Sequence, residues 1–229
     1  MDARTEITTQ LLSDEGYAVV IPTEEGEETE TFISRDFEKK FFSEKTNRIF
    51  CQTFLDKAHR DPVTNEIGKS VIFGVSQNHA RKLTEILNEF AEQLFPGKYN
   101  SDFAVQVTSQ VGEAQQMAIN FTNNNLSGKT TWLEGYKSCK TRVCITVGMM
   151  TTGYDCPDLS NICMMRPIFS PSDFVQIKGR GTRKNTFEYK FKNELDEEEI
   201  VRHDKKLFKL FTFSPTANIS KKSLITMKN

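Results

Sequence analysis

The chain has 229 residues, of which 37% are hydrophobic and 27% charged, and its formal net charge is −1. This composition excludes a disordered or membrane-embedded protein and is typical of a globular domain. No apolar run could cross a bilayer and the first residues do not begin a signal peptide, so we expect a cytoplasmic protein with no membrane contact. A contact with nucleic acid would have to come from local patches or a partner domain, because the chain is not basic overall.

The first part of the sequence is the least regular. A strand is predicted at residues 16–21, and the spacing of phenylalanines predicts a helix over residues 36–60. Asp61-Pro62 ends that helix, because proline disfavours helical backbone in the residue before it. We interpret residues 1–67 as a connector and helical segment that leads into the main domain.

Short apolar strands then alternate with amphipathic helices. The strongest pattern is at residues 77–95, where apolar residues recur at intervals of three and four. This alternation predicts a parallel sheet with helices packed on it. The strands are predicted at residues 70–75, 103–107, 142–147 and 161–165, and the helices at residues 77–95, 113–122 and 171–177.

After residue 183 the pattern loosens. Strands are predicted at residues 187–191 and 207–213, with a charged turn at residues 193–199 between them. The main domain is therefore predicted to span residues 68–213. The polar tail, residues 214–229, is predicted to be frayed or to begin another segment.

Neither an ATP-binding loop nor a metal site is predicted. Gly128-Lys129-Thr130 has the ending of a phosphate-binding loop, but that motif needs a glycine where the chain has Asn123, and a helix rather than a strand precedes it. We interpret the segment as a polar loop. The five cysteines lack C-x-x-C spacing and no two histidines have metal-ligand spacing, so we expect reduced thiols and no bound metal.

The most informative segment is Gln176-Ile177-Lys178-Gly179-Arg180-Gly181-Thr182-Arg183, which follows Thr151-Thr152-Gly153-Tyr154-Asp155-Cys156-Pro157 by about twenty residues. Glycine and threonine let a backbone approach a phosphate closely. Arginine carries a permanent charge and a planar fork of donors that fits phosphate oxygens. Nucleoside-triphosphate motors use arginines in this way. A basic turn on a solvated surface is the alternative.

In this order, the two segments resemble motifs V and VI of superfamily 2 helicases. The Gly-Arg-Gly-Thr-Arg ending, with Arg166-Pro167 ahead of it, looks most like the motor (restriction, R or HsdR) subunit of type I restriction–modification enzymes. Residues 68–80 are similar to the motif IV strand and its helix. The resemblance covers residues 68–184 and implies an α/β, RecA-like helicase domain 2, with helices on both faces of the sheet. The family's first motor domain, with Walker A and B, and its nuclease domain have no counterpart here.

The resemblance implies roles for individual residues. Arg180 and Arg183 would be arginine fingers on the γ-phosphate of ATP, which the missing first motor domain would mainly bind together with Mg²⁺. Asp155 would link the nucleotide state to the arginine loop. The other residues at the nucleotide would be Gln176, Gly153 and Gly179. Phosphates of double-stranded DNA would be contacted by Thr151, Thr152, Ser76, Asn78, Thr108 and Ser109.

For Ser76, Asn78 and Thr108, an ordinary helix cap or strand-end role is the alternative. The implied function is the second motor domain of an ATP-dependent double-stranded DNA translocase in a type I restriction endonuclease. Its partners would be the first RecA-like domain of the same full-length chain and the modification and specificity subunits. The isolated chain is predicted to be inactive, since it lacks Walker and nuclease motifs. Two alternatives stay open: another superfamily 2 helicase or remodeller, and a non-catalytic RecA-like binding module.

Overall fold

The computed structural model describes residues 42–133, 135–150, 154–166, 171–193, 196–212 and 223–228. The strand predicted at residues 16–21 lies outside these ranges, as do Thr151, Thr152 and Gly153. Within them the helices are α1 (Glu44–Lys57), α2 (Gln77–Leu94), α3 (Ala114–Thr122) and α4 (Pro171–Gly181). The strands are β1 (Ser70–Gly74), β2 (Ala104–Gln106), β3 (Val143–Thr146), β4 (Asn161–Met165), β5 (Thr186–Lys192), β6 (Glu198–Asp204), β7 (Leu207–Thr212) and β8 (Ser223–Lys228).

The main sheet has the strand order β2-β3-β1-β4-β7-β8. The first five strands are parallel, and β8 pairs with β7 in the antiparallel direction. In the centre, Ile72 of β1 lies between Ile145 of β3 and Cys163 of β4. The strands β1, β3 and β4 are buried along their whole length, which explains their uninterrupted apolar sequences. The parallel sheet predicted from the sequence is confirmed.

Helices cover both faces of this sheet, which confirms the predicted α/β class. Successive strand residues point to opposite faces, so Ile72 and Val71 belong to different halves of the core. Ile72 packs in the half formed with α1 and α2, which contributes Leu87. Val71 packs in the other half with Phe121 of α3 and Ile177 of α4. No helix in the described ranges is long and apolar enough to cross a membrane.

Two strands were not predicted. The expected charged turn at residues 193–199 is shorter, because β6 already begins at Glu198 and pairs with β5 in a separate two-stranded ribbon. An ion pair between Arg202 and Glu188 (2.7 Å) joins the ribbon's two strands. Most residues of β6 are exposed, so its sequence lacks the alternation that marks a half-buried strand. The second is β8, within the tail that was expected to be frayed or to begin another segment.

Candidate functional site

The arginine motif forms the end of α4 and the loop after it. This helix follows β4, packs on β4 and β7, and buries Ile177. Gln176, Gly179 and Arg180 share another face, because residues three and four apart are neighbours on a helix. Gln176 is exposed and Arg180 is half-buried. The helix α4 begins near the carboxyl end of β4 and runs back across the sheet. Its last turn therefore lies near the amino end of β7.

The two glycines of Gly-Arg-Gly have different surroundings. A Cβ atom at Gly181 would lie 2.2 Å from Cδ2 of Phe208, and that ring is fully buried in the core. Only glycine therefore lets the end of α4 rest on β7. A Cβ atom at Gly179 would meet nothing within 4 Å. Gly179 thus leaves open space beside the arginines, on a surface that a ligand can approach.

Arg183 and Asp155 lie together, although they come from different loops. Arg183 Nε is 3.3 Å from Asp155 Oδ1, and the two side chains are 55% and 62% exposed. A surface ion pair of this kind contributes little to stability. Its consequence is geometric, because it joins the loop that follows β3 to the loop that follows α4.

Arg180 contacts the same segment from the more buried side. Its Nη1 donates a hydrogen bond to the backbone carbonyl of Tyr154, the residue before Asp155. The Tyr154 side chain is buried, and burial raises the pKa of its hydroxyl. Both guanidinium groups therefore rest on residues 154 and 155. Residues implied by the resemblance to lie at a nucleotide are thus collected in one cluster, which we call the arginine cluster: Asp155, Gln176, Gly179, Arg180 and Arg183.

Four of the residues predicted to contact DNA lie elsewhere, at the carboxyl edge of the sheet: Ser76, Asn78, Thr108 and Ser109. Ser76 caps α2, where its Oγ accepts a hydrogen bond from the backbone of His79 (3.0 Å). Asn78 is exposed, and its Oδ1 accepts a hydrogen bond from Arg81 (3.0 Å). The cap role that was the alternative for Ser76 is therefore present, and it does not prevent the hydroxyl from also meeting a phosphate.

Thr108 and Ser109 follow β2 at the same edge. The Thr108 side chain is only 1% exposed, and its hydroxyl lies 3.2 Å from the Nε2 donor of Gln106. Ser109 is exposed. As the two residues lie here, Ser109 can meet a phosphate directly, whereas the contact predicted for Thr108 would require its hydroxyl to become uncovered.

The segment between β3 and β4 connects these two surfaces. It starts at the carboxyl edge, where the carbonyl of Val147 accepts a hydrogen bond from Arg166 (3.0 Å). It then passes Asp155 in the arginine cluster and enters the amino end of β4. Thr151 and Thr152 lie between these two points in the sequence.

Sequence reasoning missed a buried ion pair beneath this segment. Lys69 Nζ lies 3.0 Å from Asp158 Oδ1, and the lysine side chain is 2% exposed. Burial opposes ionisation of Asp158, yet the charge of Lys69 holds the pKa of that carboxyl below its usual value. No spacing rule connects a lysine before β1 with an aspartate 89 residues later, so the sequence alone carries no signal for this pair.

Two negative expectations concern the rest of the described chain. Gly128, Lys129 and Thr130 form a loop after α3, and Thr130 Oγ1 donates a hydrogen bond to Glu66. The interpretation of this segment as a polar loop is confirmed. In the described ranges, no three His, Cys, Asp or Glu side chains are arranged to hold a metal ion. The arginine cluster fits the phosphates of a nucleotide. The exposed Arg183 offers hydrogen-bond donors, and the open space at Gly179 leaves room for the phosphates.

The α/β fold thus carries two segments that resemble helicase motifs V and VI. No family model matches the chain. Its curated relatives include the type I restriction enzyme EcoKI endonuclease subunit of Escherichia coli K12, with 25% identity over 161 residues, which are 69% of this chain and 12% of the relative. The EcoAI endonuclease subunit of Escherichia coli is 27% identical over 155 residues, which are 66% of this chain and 17% of the relative.

A third relative is IRC3 of Saccharomyces cerevisiae, which is named as an ATP-dependent helicase. It is 23% identical over 141 residues, which are 62% of this chain and 16% of the relative. These similarities confirm the resemblance to the endonuclease subunits of type I restriction enzymes. The chain spans 12 to 17% of the length of these three relatives.

Proposed function

We propose that this chain is the second RecA-like motor domain of an ATP-dependent double-stranded DNA translocase in a type I restriction endonuclease. One observation carries the proposal: Arg180 contacts Tyr154 and Arg183 contacts Asp155, so segments that resemble motifs V and VI meet in one cluster. Similarity to the EcoKI and EcoAI endonuclease subunits supports the restriction setting. Similarity to a protein named as an ATP-dependent helicase supports the motor chemistry.

In the proposed mechanism, the arginine cluster completes a nucleotide site on another domain. ATP and Mg²⁺ supply the phosphoryl chemistry, and a first motor domain outside this chain holds most of both. Arg183 exchanges Asp155 for phosphate oxygens, and Arg180 donates beside it to charge that develops in the transition state. Arginine fingers in other motors raise kcat by about 10³ to 10⁵. Gln176 and Gly179 line the nucleotide side of the cluster, and we propose that Gly153 contacts the nucleotide as well.

Four of the proposed DNA contacts lie on the carboxyl edge, where Ser76, Asn78, Ser109 and Thr108 would bind backbone phosphates. Thr151 and Thr152 would bind phosphates as well. Contacts to phosphates carry no sequence information, which suits a domain that moves along any sequence. Because Asp155 belongs to the same segment as Thr151 and Thr152, release of Arg183 from Asp155 would shift these contacts. Hydrolysis and movement along DNA are thereby coupled.

The proposal needs partners that this chain does not contain. The first RecA-like domain of the same full-length polypeptide would supply the ATP-binding loop, and modification and specificity subunits would recognise the DNA site. Translocation and restriction of DNA would take place in the cytoplasm. By itself the chain supplies neither the nuclease nor the ATP-binding half, so we expect no hydrolysis from it alone.

The test uses the complete protein that contains this sequence. Arg180→Ala and Arg183→Ala should each lower DNA-stimulated ATP hydrolysis by about 10³-fold or more, because each removes a donor that acts in the transition state. DNA binding, measured by fluorescence anisotropy, should persist in both variants. The matched control is Lys184→Ala, which removes the neighbouring exposed cation and should hydrolyse ATP normally. Full hydrolysis in both arginine variants would overturn the assignment of Arg180 and Arg183 as arginine fingers.

A different superfamily 2 helicase or remodeller is the second candidate, because the similarity to IRC3 extends over 62% of this chain. The two candidates share the same half-site and differ in what the rest of the polypeptide does. A restriction enzyme carries a nuclease, so the complete complex should cleave unmodified plasmid DNA in the presence of ATP. Hydrolysis of ATP without cleavage, in a complex with all subunits present, would favour the second candidate.

A further inference from the structure

A buried lysine lies beneath the arginine cluster, between β6 and β7. Lys205 is 8% exposed, and its Nζ donates hydrogen bonds to the carbonyl oxygens of Pro157 and Arg183, at 2.9 Å each. Pro157 is two residues after Asp155, and Arg183 is the second arginine of the motif. One ammonium group therefore binds both loops whose side chains form the Asp155–Arg183 ion pair.

We infer that Lys205 is a positioning residue that holds the backbone of Arg183 against the backbone of Pro157 and so fixes where the Arg183 side chain stands relative to Asp155. It acts through the backbone and touches no nucleotide. The exposed Asp155–Arg183 pair is too weak to hold two loops together by itself. The effect of Lys205 on ATP hydrolysis rests on the function proposed above, whereas its effect on the two loops does not.

The surroundings of Lys205 suit this role. An ammonium group has three donors and no acceptor, so backbone carbonyls are its natural partners in a buried setting. Burial lowers the pKa of Lys205 to about 8, although Cys156 and Asp158 favour the charged form. The lysine is therefore mostly charged at neutral pH, and its hydrogen bonds are of the stronger, charge-assisted kind.

The path of the chain adds a second reason. From Arg183 the chain enters the β5–β6 ribbon and returns directly to Lys205. The neck of the ribbon is closed by a hydrogen bond from Lys205 N to the carbonyl of Asn185 (2.8 Å) and another from Thr186 Oγ1 to Asp204 (2.8 Å). Lys205 thus fastens the exit of the ribbon to the residue at its entrance. The backbone of Lys205 therefore pairs with Asn185, while its side chain binds the carbonyl of Arg183.

The first experiment measures amide hydrogen exchange in this chain by mass spectrometry. Lys205→Met keeps the length of the side chain but removes every donor, while Lys206→Met changes the neighbouring exposed lysine and serves as the control. We expect exchange at residues 154–158 and 180–184 to speed up on the order of tenfold in Lys205→Met, with β1 and β3 unchanged. Lys206→Met should match the unmodified chain.

Unchanged exchange at both loops would overturn the inference. An equal increase throughout the sheet would also overturn it, because the lysine would then support the whole fold rather than the two loops. If Lys205→Met does not fold, Lys205→Gln, which keeps a donor on a shorter side chain, is measured by the same criteria. Lys205→Arg, which restores a charged donor, should recover part of the protection.

The second experiment measures ATP hydrolysis by the complete protein. Lys205→Met should lower kcat about tenfold and leave KM for ATP within about twofold, because misplaced arginines weaken the transition state rather than ground-state binding. Faster exchange at the two loops with unchanged kcat would contradict the proposed function and the catalytic effect of Lys205, while leaving its contact with the loops intact. The two proposals can therefore fail separately.

Discussion

Gly181 and Phe208 show how one atom decides where the arginines stand. A side chain at Gly181 would overlap the Phe208 ring, so the end of α4 can approach β7 only without a Cβ atom. Gly179 has no such constraint, although it stands two residues away in the same motif. Packing therefore requires glycine at position 181. Packing does not require glycine at position 179, where the close approach of a ligand would be the reason for it.

Gly181→Ala should destabilise the chain by about 1–3 kcal/mol, since the helix end or the Phe208 ring must move to admit a methyl group. Gly179→Ala is the matched control and should be neutral or stabilising by up to about 1 kcal/mol, because alanine favours helix. Urea unfolding of both variants measures this difference. Equal stability of the two would contradict the packing argument. A raised KM for ATP in Gly179→Ala alone would support the nucleotide contact.

At the scale of elements, a buried network fastens the segment between α1 and β1 to the sheet. Arg142, at the start of β3, is 1% exposed and its Nη2 lies 3.3 Å from Asp61 Oδ2. Its Nε donates to the carbonyl of Ile67 (2.6 Å), and Tyr136 donates to the same Asp61 carboxylate. The segment between α1 and β1 is therefore joined to the loop before β3.

Arg142→Met should cost about 3–5 kcal/mol of unfolding free energy, because it leaves the buried Asp61 carboxylate without a compensating positive charge. Adding Asp61→Asn should recover part of this loss, since the uncompensated charge is then gone. A double-mutant cycle by chemical denaturation checks both statements. Strict additivity of the two changes would show that the pair does not act as a unit.

The elements that the sequence predicted well are those with a buried face. The apolar run of β4 was predicted with its observed bounds, and the periodicity of α2 placed that helix to within one residue. The ribbon strand β6 has no buried face and gave no pattern. Sequence patterns report burial, so an exposed strand that is held by cross-strand pairs escapes them.

The same reasoning applies to the candidate site. The resemblance to helicase motifs brought out Arg180, Arg183 and Asp155. In the structure Arg183 pairs with Asp155, and Arg180 donates to the carbonyl of the preceding residue, Tyr154. The roles of these residues at a nucleotide stay predictions. The role of Lys205 could not be predicted from the sequence, because its partners are backbone carbonyls, which every residue type has. Side-chain chemistry can be predicted from sequence, whereas the backbone geometry that orients it could not.

For the whole molecule, acid should weaken the fold through His59. Burial, together with the charge of Lys209, lowers the pKa of His59 to about 4, compared with about 6.5 in an unfolded chain. Between these values the unfolded chain binds a proton that the folded chain does not, so stability falls as the pH falls from about 6.5 to about 4. After allowance for its partial exposure, the loss should be about 1–2 kcal/mol.

His59→Gln should flatten this part of the pH profile, which urea midpoints at a series of pH values will show. Below about pH 4 a second decline should remain in both proteins. There, Glu66 and Asp158 lose the stabilisation that their lowered pKa values represent, because a carboxylate with a depressed pKa stabilises the fold only while it is ionised. An identical profile for His59→Gln above about pH 4 would contradict the role of this histidine.

The central claim is that the arginine cluster faces a nucleotide held by another domain. The most direct measurement is a structure of the complete protein with DNA and a non-hydrolysable ATP analogue. We predict that Arg180 and Arg183 lie within hydrogen-bond distance of the γ-phosphate, about 3 Å, and that Arg183 has left Asp155. If both guanidinium groups stay on residues 154 and 155 while the phosphate is bound beyond about 3.5 Å from them, the claim is wrong.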